Sequence, residues 1–540
     1  MRRFSALSLG SFGIAAILAM PTLFIIYLAL SSSSEVWGHL YQTVLGDYLG
    51  NSIGLMVGVT IGTLLLGVPS AWLCACCDFP FRKTISWLII LPMAMPAYIV
   101  AYVYSGLLND SGPIQRWIRQ QFELSYGDYW FVDIHSLGGA VCVLSLVLYP
   151  YVYLLARSAF LQQRHQLNAV ARTLGSPFSR NIFKVALPLA RPAIAAGVLL
   201  ALMETMSDYG TVQYFGIATF TTGIFRTYYG FGDESATAQL AMVLLVVVLV
   251  LYGLEKQSRK GMAFHALEDS KQQSTPLLIS GWRQPLAQIC CLVPPLLGFF
   301  IPVLTLILWG VESDEWQQAS FVELAINSTV LASLAAILTV CIALILCYAV
   351  RLQPSWWVKL TVQIASIGYA LPGTIVAIGV ISLLTAVDHS LVEGLSQLLG
   401  VDSGLWVSGT LVALLFAFAV RFMTVAVGSI SSGMATIKPH IDDSARLLGR
   451  TPWQVIRQIH IPLLRPSVLT AALIVFVDVI KELPATLILR PFNFNTLSVR
   501  AYEMASDERL YDAGPSAIVM VLAGIIPVLV LNRSIGGGRS

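Results

Sequence analysis

Four acidic residues stand inside long apolar stretches, where charge is expensive. Glu204 and Asp208 lie in one stretch, and Asp478 and Glu482 lie 274 positions further on in another. Each pair is spaced i, i+4, so in a helix each pair shares one face. Counted from Pro192 or Pro466, the first acid is about 18 Å into its helix at 1.5 Å per residue. An Asp at mid-bilayer depth costs roughly 2.5–3.5 kcal/mol on insertion scales. Such groups face a bundle interior or a wet cavity and mark a substrate pathway. The alternative is a structural ion-pair cluster with Lys481. With Lys481, four ionised carboxylates total −3, which suits a hard cation with oxygen ligands, although burial can neutralise carboxylates.

The elements that carry these acids must be membrane helices. Of 540 residues, 56% are hydrophobic and only 11% are charged, against about 25% charged in a soluble domain. Spans long enough to cross a hydrocarbon core are expected at 9–31, 52–76, 85–107, 138–157, 190–213 and 237–254. A second set is expected at 286–310, 326–350, 358–385, 405–430, 466–488 and 514–533. In lipid each span must satisfy its own backbone, so helices follow, and the alternation of a membrane barrel is absent. The fold class is an all-α polytopic membrane protein of about twelve helices. The first span, after Arg2 and Arg3, is too long for a signal-peptide core and reads as uncleaved.

Lys and Arg concentrate in the segments that a cytoplasmic N-terminus leaves inside. Arg116, Arg119, Arg226, Arg490, Arg500 and Arg509 fall outside, and Lys481 falls within a span. The bias orients both termini to the cytoplasm. The eight cysteines, in or at the ends of apolar spans, read as small buried hydrophobes, and no stable metal site is expected. His165 and His460 read as interfacial polar groups.

The chain repeats itself. ARTLGSPFSRNIFKVALPLARPA at 171–193 matches SARLLGRTPWQVIRQIHIPLLRPS at 444–467, and FTTGIFRTYYGFGDE at 220–234 matches FNTLSVRAYEMASDE at 494–508 without a gap. Residues 1–254 form a first six-span module, 255–285 a polar basic cytoplasmic linker, and 286–540 a second module. Parallel repeats of this kind commonly enclose a pathway at their interface. The matched outer segments place Arg226, Tyr228, Arg500 and Tyr502, with Asp233-Glu234 and Asp507-Glu508, at a periplasmic gate or docking rim. Helix-end packing and capping is the plainer alternative.

The cytoplasmic loops at 160–190 and 434–465 each hold a helix, a Gly, a Pro and a second short helix. Gly permits a sharp break and Pro suits a first helical turn. This rigid helix-turn-helix would fit a partner's groove. The loops resemble the EAA loop of ATP-binding-cassette importer permeases, roughly E-A-A-x3-G-x9-I-x-L-P. Ala171, Gly175, Leu187 and Pro188 match in the first copy, and Ala445, Gly449, Ile459, Ile461 and Pro462 in the second. The leading Glu is absent from the first copy, and Asp442 and Asp443 stand near its place in the second. The resemblance implies coupling helices docked on two copies of a cytoplasmic ATPase. The chain has no G-x4-G-K-[ST] phosphate loop, so it cannot hydrolyse ATP as that class does, and it is expected to be a transport subunit, not an enzyme. The ATP and Mg2+ would be used by the partner, with no cofactor in this chain.

METMSDYGTVQYFGIATFTTGIFRTYYG at 203–230 and KELPATLILRPFNFNTLSVRAYEMASDERL at 481–510 resemble stretches of fused ferric-iron permeases. That resemblance spans essentially the whole chain. It implies Fe3+ as substrate, a periplasmic ferric-binding protein, alternating access and the bacterial inner membrane. It would make Glu204, Asp208, Asp478 and Glu482 cavity-lining groups. Permeases for thiamine or polyamine share the architecture. A proton-driven secondary cation transporter would use the acids as relays, but has no ATPase for the paired loops to meet. A non-transporting scaffold fits the buried acids less well. Neither a nucleophile–base pair, nor zinc-type Cys/His spacing, nor a nucleic-acid motif is found.

Overall fold

The computed structural model describes residues 6–31, 34–174, 186–265, 277–279, 281–399 and 407–536. Its helices are α1 Ala6–Ser31, α2 Leu45–Cys76, α3 Ala97–Leu108, α4 Leu137–Leu174, α5 Leu187–Ser207, α6 Gly210–Tyr214, α7 Phe220–Arg226 and α8 Glu234–His265. They continue as α9 Arg283–Glu312, which contains a π-turn at Leu296–Phe300, and α10 Ala319–Leu352, α11 Trp356–Ala365, α12 Gly373–Leu399 and α13 Leu411–Thr436. Then follow α14 Pro439–Leu447, α15 Ile461–Lys481, α16 Pro484–Leu489, α17 Leu497–Ser506 and α18 Leu510–Gly536. Among the described residues the only strand pairing is a two-residue parallel bridge, Cys77–Asp78 with Leu277–Leu278.

Among the described residues eleven helices are long and apolar enough to cross a membrane. A twelfth requires the pair Arg82–Ala94 and Ala97–Phe122, which bends by 92°, to be one span. The straight span expected at 85–107 is therefore corrected. Met95 is extended (φ −97°, ψ 133°) ahead of Pro96. A proline disfavours helical geometry in the residue before it and donates no N–H, so the helix stops and restarts. The span expected at 358–385 breaks in the same way. Leu371 is extended (φ −83°, ψ 130°) before Pro372, and α12 starts at Gly373. Irregular backbone at membrane depth is tolerated where protein or a cavity surrounds it.

The chain forms two compact units whose membership interleaves along the sequence. One comprises 1–34, 232–242 and 317–500, and the other 35–231, 243–316 and 501–540. In the first, α1 packs against α10, α11 and α12. A Cβ at Gly379 of α12 would stand 2.6 Å from the Pro21 carbonyl oxygen of α1, so only glycine allows this approach. In the second unit α2 lies along α4 and α5, while α9 packs on α18 and near α3. Gly54, Gly58 and Gly62 form a stripe on α2 that meets Leu137, Val141 and Ser145 of α4. Small residues at this spacing let membrane helices approach closely. Each repeat's first long helix, α1 or α9, thus packs in the unit dominated by the other repeat.

Candidate translocation site and coupling surface

α5 and α15 are both 21 residues long and are offset by 274 at both ends. Each ends in an acid with extended backbone: Asp208 (φ −68°, ψ 131°) and Glu482 (φ −70°, ψ 116°). The expected shared helix face for each i, i+4 pair is therefore corrected. Glu204 and Asp478 stand in the last turns, and Asp208 and Glu482 stand just beyond them, where the helix opens.

The two breaks are held differently. The Asp208 carboxylate accepts from the Thr211 N–H (3.0 Å), the Thr211 hydroxyl (3.0 Å) and the Val212 N–H (3.2 Å), so it caps α6. Its carbonyl accepts from the Thr221 hydroxyl at 2.8 Å. Asp208, Ser52, Thr205, Thr219 and Thr221 border a cavity of about 10 Å3, room for about one water. Glu482 instead pairs with Arg421 of α13 at 3.2 Å, with side chains only 7% and 13% exposed. It also accepts from the Ala485 N–H at 3.3 Å, and its carbonyl accepts from the hydroxyls of Thr486 (2.8 Å) and Ser498 (3.0 Å). A Cβ at Gly373 would collide with both Arg421 and Glu482. Glu204, Asp478 and Lys481 are half-buried.

Arg421 was missed by the sequence reading, although an Arg inside the expected span 405–430 was the available signal. Counting it alongside Lys481 changes the tally for the four acids from −3 to −2.

The gapless match of the outer segments does not survive in three dimensions. Thr219 caps α7 and its hydroxyl meets that of Thr221 at 3.0 Å, while Thr496 meets Ser498 at 3.1 Å. Thr221 bonds the carbonyl of Asp208, and Ser498 bonds that of Glu482. The equivalent positions are thus offset by 277, and the second copy carries three extra residues after its helix break. Arg226 ends α7 and is exposed, whereas Arg500 stands in the first turn of α17 and is half-buried. Tyr228 and Tyr502 are both half-buried. Asp233 caps α8 through the Ala236 N–H (2.9 Å) and accepts from the Ser34 hydroxyl. Burial alone would raise the Asp233 carboxyl, but these hydrogen bonds hold it below its ordinary value. Asp507 and Glu508 lie on an exposed turn, with Glu508 at φ +61°.

In the loop at 434–465, α14 ends before Gly449, whose φ of +74° is the left-handed break expected of it. Ala445 is buried, and Pro452 opens the next short helix. Ile461 and Pro462 start α15, and Ile461 is exposed. Leu447 and Leu448 are 89% and 80% exposed, an apolar knob beside the glycine turn. Asp443 is exposed as well. Asp442 turns inward. Its carboxylate meets Arg351 of α10 (2.9 and 3.0 Å) and His460 Nε2 (2.6 Å). His460 is buried, which corrects its reading as an interfacial group. In the first loop, Ala171 continues α4, Leu187 and Pro188 open α5, and Gly175 lies outside the described residues. The side chain of His165 is likewise outside them.

A family model described as binding-protein-dependent transport system inner membrane component matches twice, over residues 64–263 and 340–536. The chain belongs to this family. It is thus a fused two-module importer permease of the inner membrane, and each match covers one of the two Gly-Pro loops and two helix breaks. It is 25% identical over 537 residues to the Fe(3+)-transport system permease protein FbpB 2 of Haemophilus influenzae, covering 96% of each chain. It is 28% identical over 222 residues to the molybdenum transport system permease protein ModB of Haemophilus influenzae, covering 39% of this chain and 94% of that one. It is also 28% identical over 209 residues to the molybdate/tungstate transport system permease protein WtpB of Thermococcus kodakarensis, covering 38% of this chain and 74% of that one.

If the loop at 434–465 meets an ATPase groove, Leu447 and Leu448 would be its exposed apolar contact. Leu447→Asp with Leu448→Asp is expected to abolish co-purification of the ATPase while the permease stays folded. Undiminished co-purification would remove these leucines from the contact.

Proposed function

We propose that this chain passes ferric iron from a periplasmic binding protein to the cytoplasm, driven by two copies of a separate ATPase that uses ATP and Mg2+. The observation that carries the reading is similarity along the whole fused chain to an Fe(3+)-transport permease, whereas the two molybdenum-type permeases described above align with less than half of it. The charge agrees. Glu204, Asp208, Asp478 and Glu482 outnumber Lys481 and Arg421, which favours a cation over an oxyanion. In this reading the acids act on the cargo at the helix breaks. The cytoplasmic loops transmit ATPase closure to α5 and α15, and alternating access follows. Both termini are cytoplasmic, as the Lys/Arg bias requires.

The test is uptake of labelled ferric iron by cells carrying the permease with its candidate ATPase and binding protein, beside labelled molybdate, thiamine and putrescine. Iron uptake that stops with an inactive ATPase supports the reading. Replacing all four acids with Asn or Gln is expected to lower uptake at least about tenfold, equivalent to 1.4 kcal/mol on the barrier. ATPase-dependent uptake of molybdate or an organic label in place of iron would overturn the substrate. Unchanged uptake by the fourfold variant would remove the acids from the pathway.

A further inference from the structure

We propose that a cluster of tyrosines beside Asp208, centred on Tyr102, is a transient oxygen-ligand site for a hard trivalent cation in transit. The inference rests on the ferric reading above and adds ligands that reading does not name.

Among the described residues no group of three or more His, Cys, Asp or Glu side chains is placed to hold a metal. Phenols do converge. Tyr98 and Tyr102 stand one helical turn apart on α3, just after the Pro96 break, with ring centroids 5.6 Å apart. Tyr214, at the end of α6, meets Tyr102 edge-on at 4.6 Å. Tyr209, between Asp208 and α6, has its ring centroid 6.2 Å from that of Tyr502 of α17. α6, which the Asp208 carboxylate caps, packs on α3. Five phenols from three segments thus gather where two broken helices and a carboxylate meet, all within one compact unit.

Tyr102 supplies the second, independent observation. It is 2% exposed, yet its hydroxyl has no hydrogen-bond partner. A buried hydroxyl is normally satisfied, because leaving it unpaired costs free energy. An unsatisfied one among other phenols and beside an acid is what a site awaiting a cation would show.

The cluster also has a polar approach. The Tyr214 hydroxyl donates to Ser105 Oγ at 3.4 Å, and Ser105 Oγ is 3.0 Å from His135 Nε2. His135 lines a cavity of about 420 Å3 in the segment joining α3 to α4, with Asp110, Asp133, Tyr126 and Tyr129. The Lys/Arg bias puts that segment on the outer side. A cation entering there meets carboxylates, then His135, Ser105 and the Tyr214 hydroxyl.

The chemistry balances without redox change. A hard trivalent ion prefers anionic oxygen ligands. Each phenol that coordinates it releases its proton to water, and the ion leaves when the phenolate takes a proton back.

The experiment uses the full chain in nanodiscs with its ATPase, titrated with ferric nitrilotriacetate, alongside cellular uptake of labelled iron. Wild type is expected to develop the visible phenolate-to-iron charge-transfer absorption. Tyr102→Phe with Tyr502→Phe keeps the rings and removes two oxygens. It should lose most of that absorption and lower uptake about tenfold, and basal ATPase activity reports that the assembly is intact. Wild type that takes up iron without the absorption overturns the inference and leaves the ferric reading standing. So does unchanged uptake by the double Phe variant. Wild type that carries molybdate and not iron overturns both.

Discussion

Glu482→Gln alone is expected to destabilise the protein more than Glu482→Gln combined with Arg421→Met. The single change leaves a guanidinium buried beside a neutral amide, and breaking a buried pair costs about 3–5 kcal/mol. Arg421 and Glu482 are 3.2 Å apart and nearly enclosed, so solvent cannot take over the lost charge. In the double variant an apolar side chain of similar length fills the Arg421 volume, and such replacements are often neutral. Thermal unfolding in nanodiscs measures the difference. Uptake separates structure from transport: the double variant should recover stability but not transport. If single and double variants unfold together, the pair does not hold the α15 break. If the double variant transports normally, Glu482 does not act on the cargo.

Asp442→Asn is expected to uncouple ATP hydrolysis from transport. Arg351 donates to the carbonyls of Met434 and Ile437 (both 3.0 Å) at the end of α13, and to Asp442 in the first turn of α14. The same carboxylate takes His460 at the entry to α15. One acid therefore ties α14 to three spans. An amide keeps the shape but loses the charge that makes these bonds strong, at about 1.5–3 kcal/mol. In proteoliposomes, ATPase activity should no longer rise with loaded binding protein, and uptake should fall at least about tenfold. Stimulation equal to wild type would show that α14 transmits its motion without this network. Asp443, exposed beside it, is free of that duty, and Asp443→Asn should leave the network intact.

Much of this organisation was legible in the chain. Composition and apolar run lengths are local properties, and they located the helices because lipid leaves the backbone no other solution. The loop with Gly449 was legible because a left-handed turn has few residue choices. Matched acids inside apolar runs were visible because their cost is high wherever they stand. Their surroundings were not visible. Asp208 and Glu482 occupy equivalent positions, yet one caps a short helix and the other pairs with an arginine on a different span.

The gapless alignment of Arg226 with Arg500 failed for a related reason. Identity counts reward a gapless match, whereas the fold preserves the hydroxyl that bonds the broken helix's last carbonyl. Helix breaks at Pro96 and Pro372 were similarly hidden, since apolar content continues across them and a hydropathy window cannot sense a missing N–H.

The sequence by itself determined that this is a helical membrane protein, that its module occurs twice, and where its paired Gly-Pro loops and costly charges fall. Those follow from solvent, length and local backbone chemistry. Only the tertiary structure decided that α1 and α9 pack with the other repeat's spans, that Arg351 and Asp442 meet from 91 residues apart, and that tyrosines from separate segments converge beside Asp208. Contacts between distant segments depend on how helices pack face to face, and no window along the chain contains both partners.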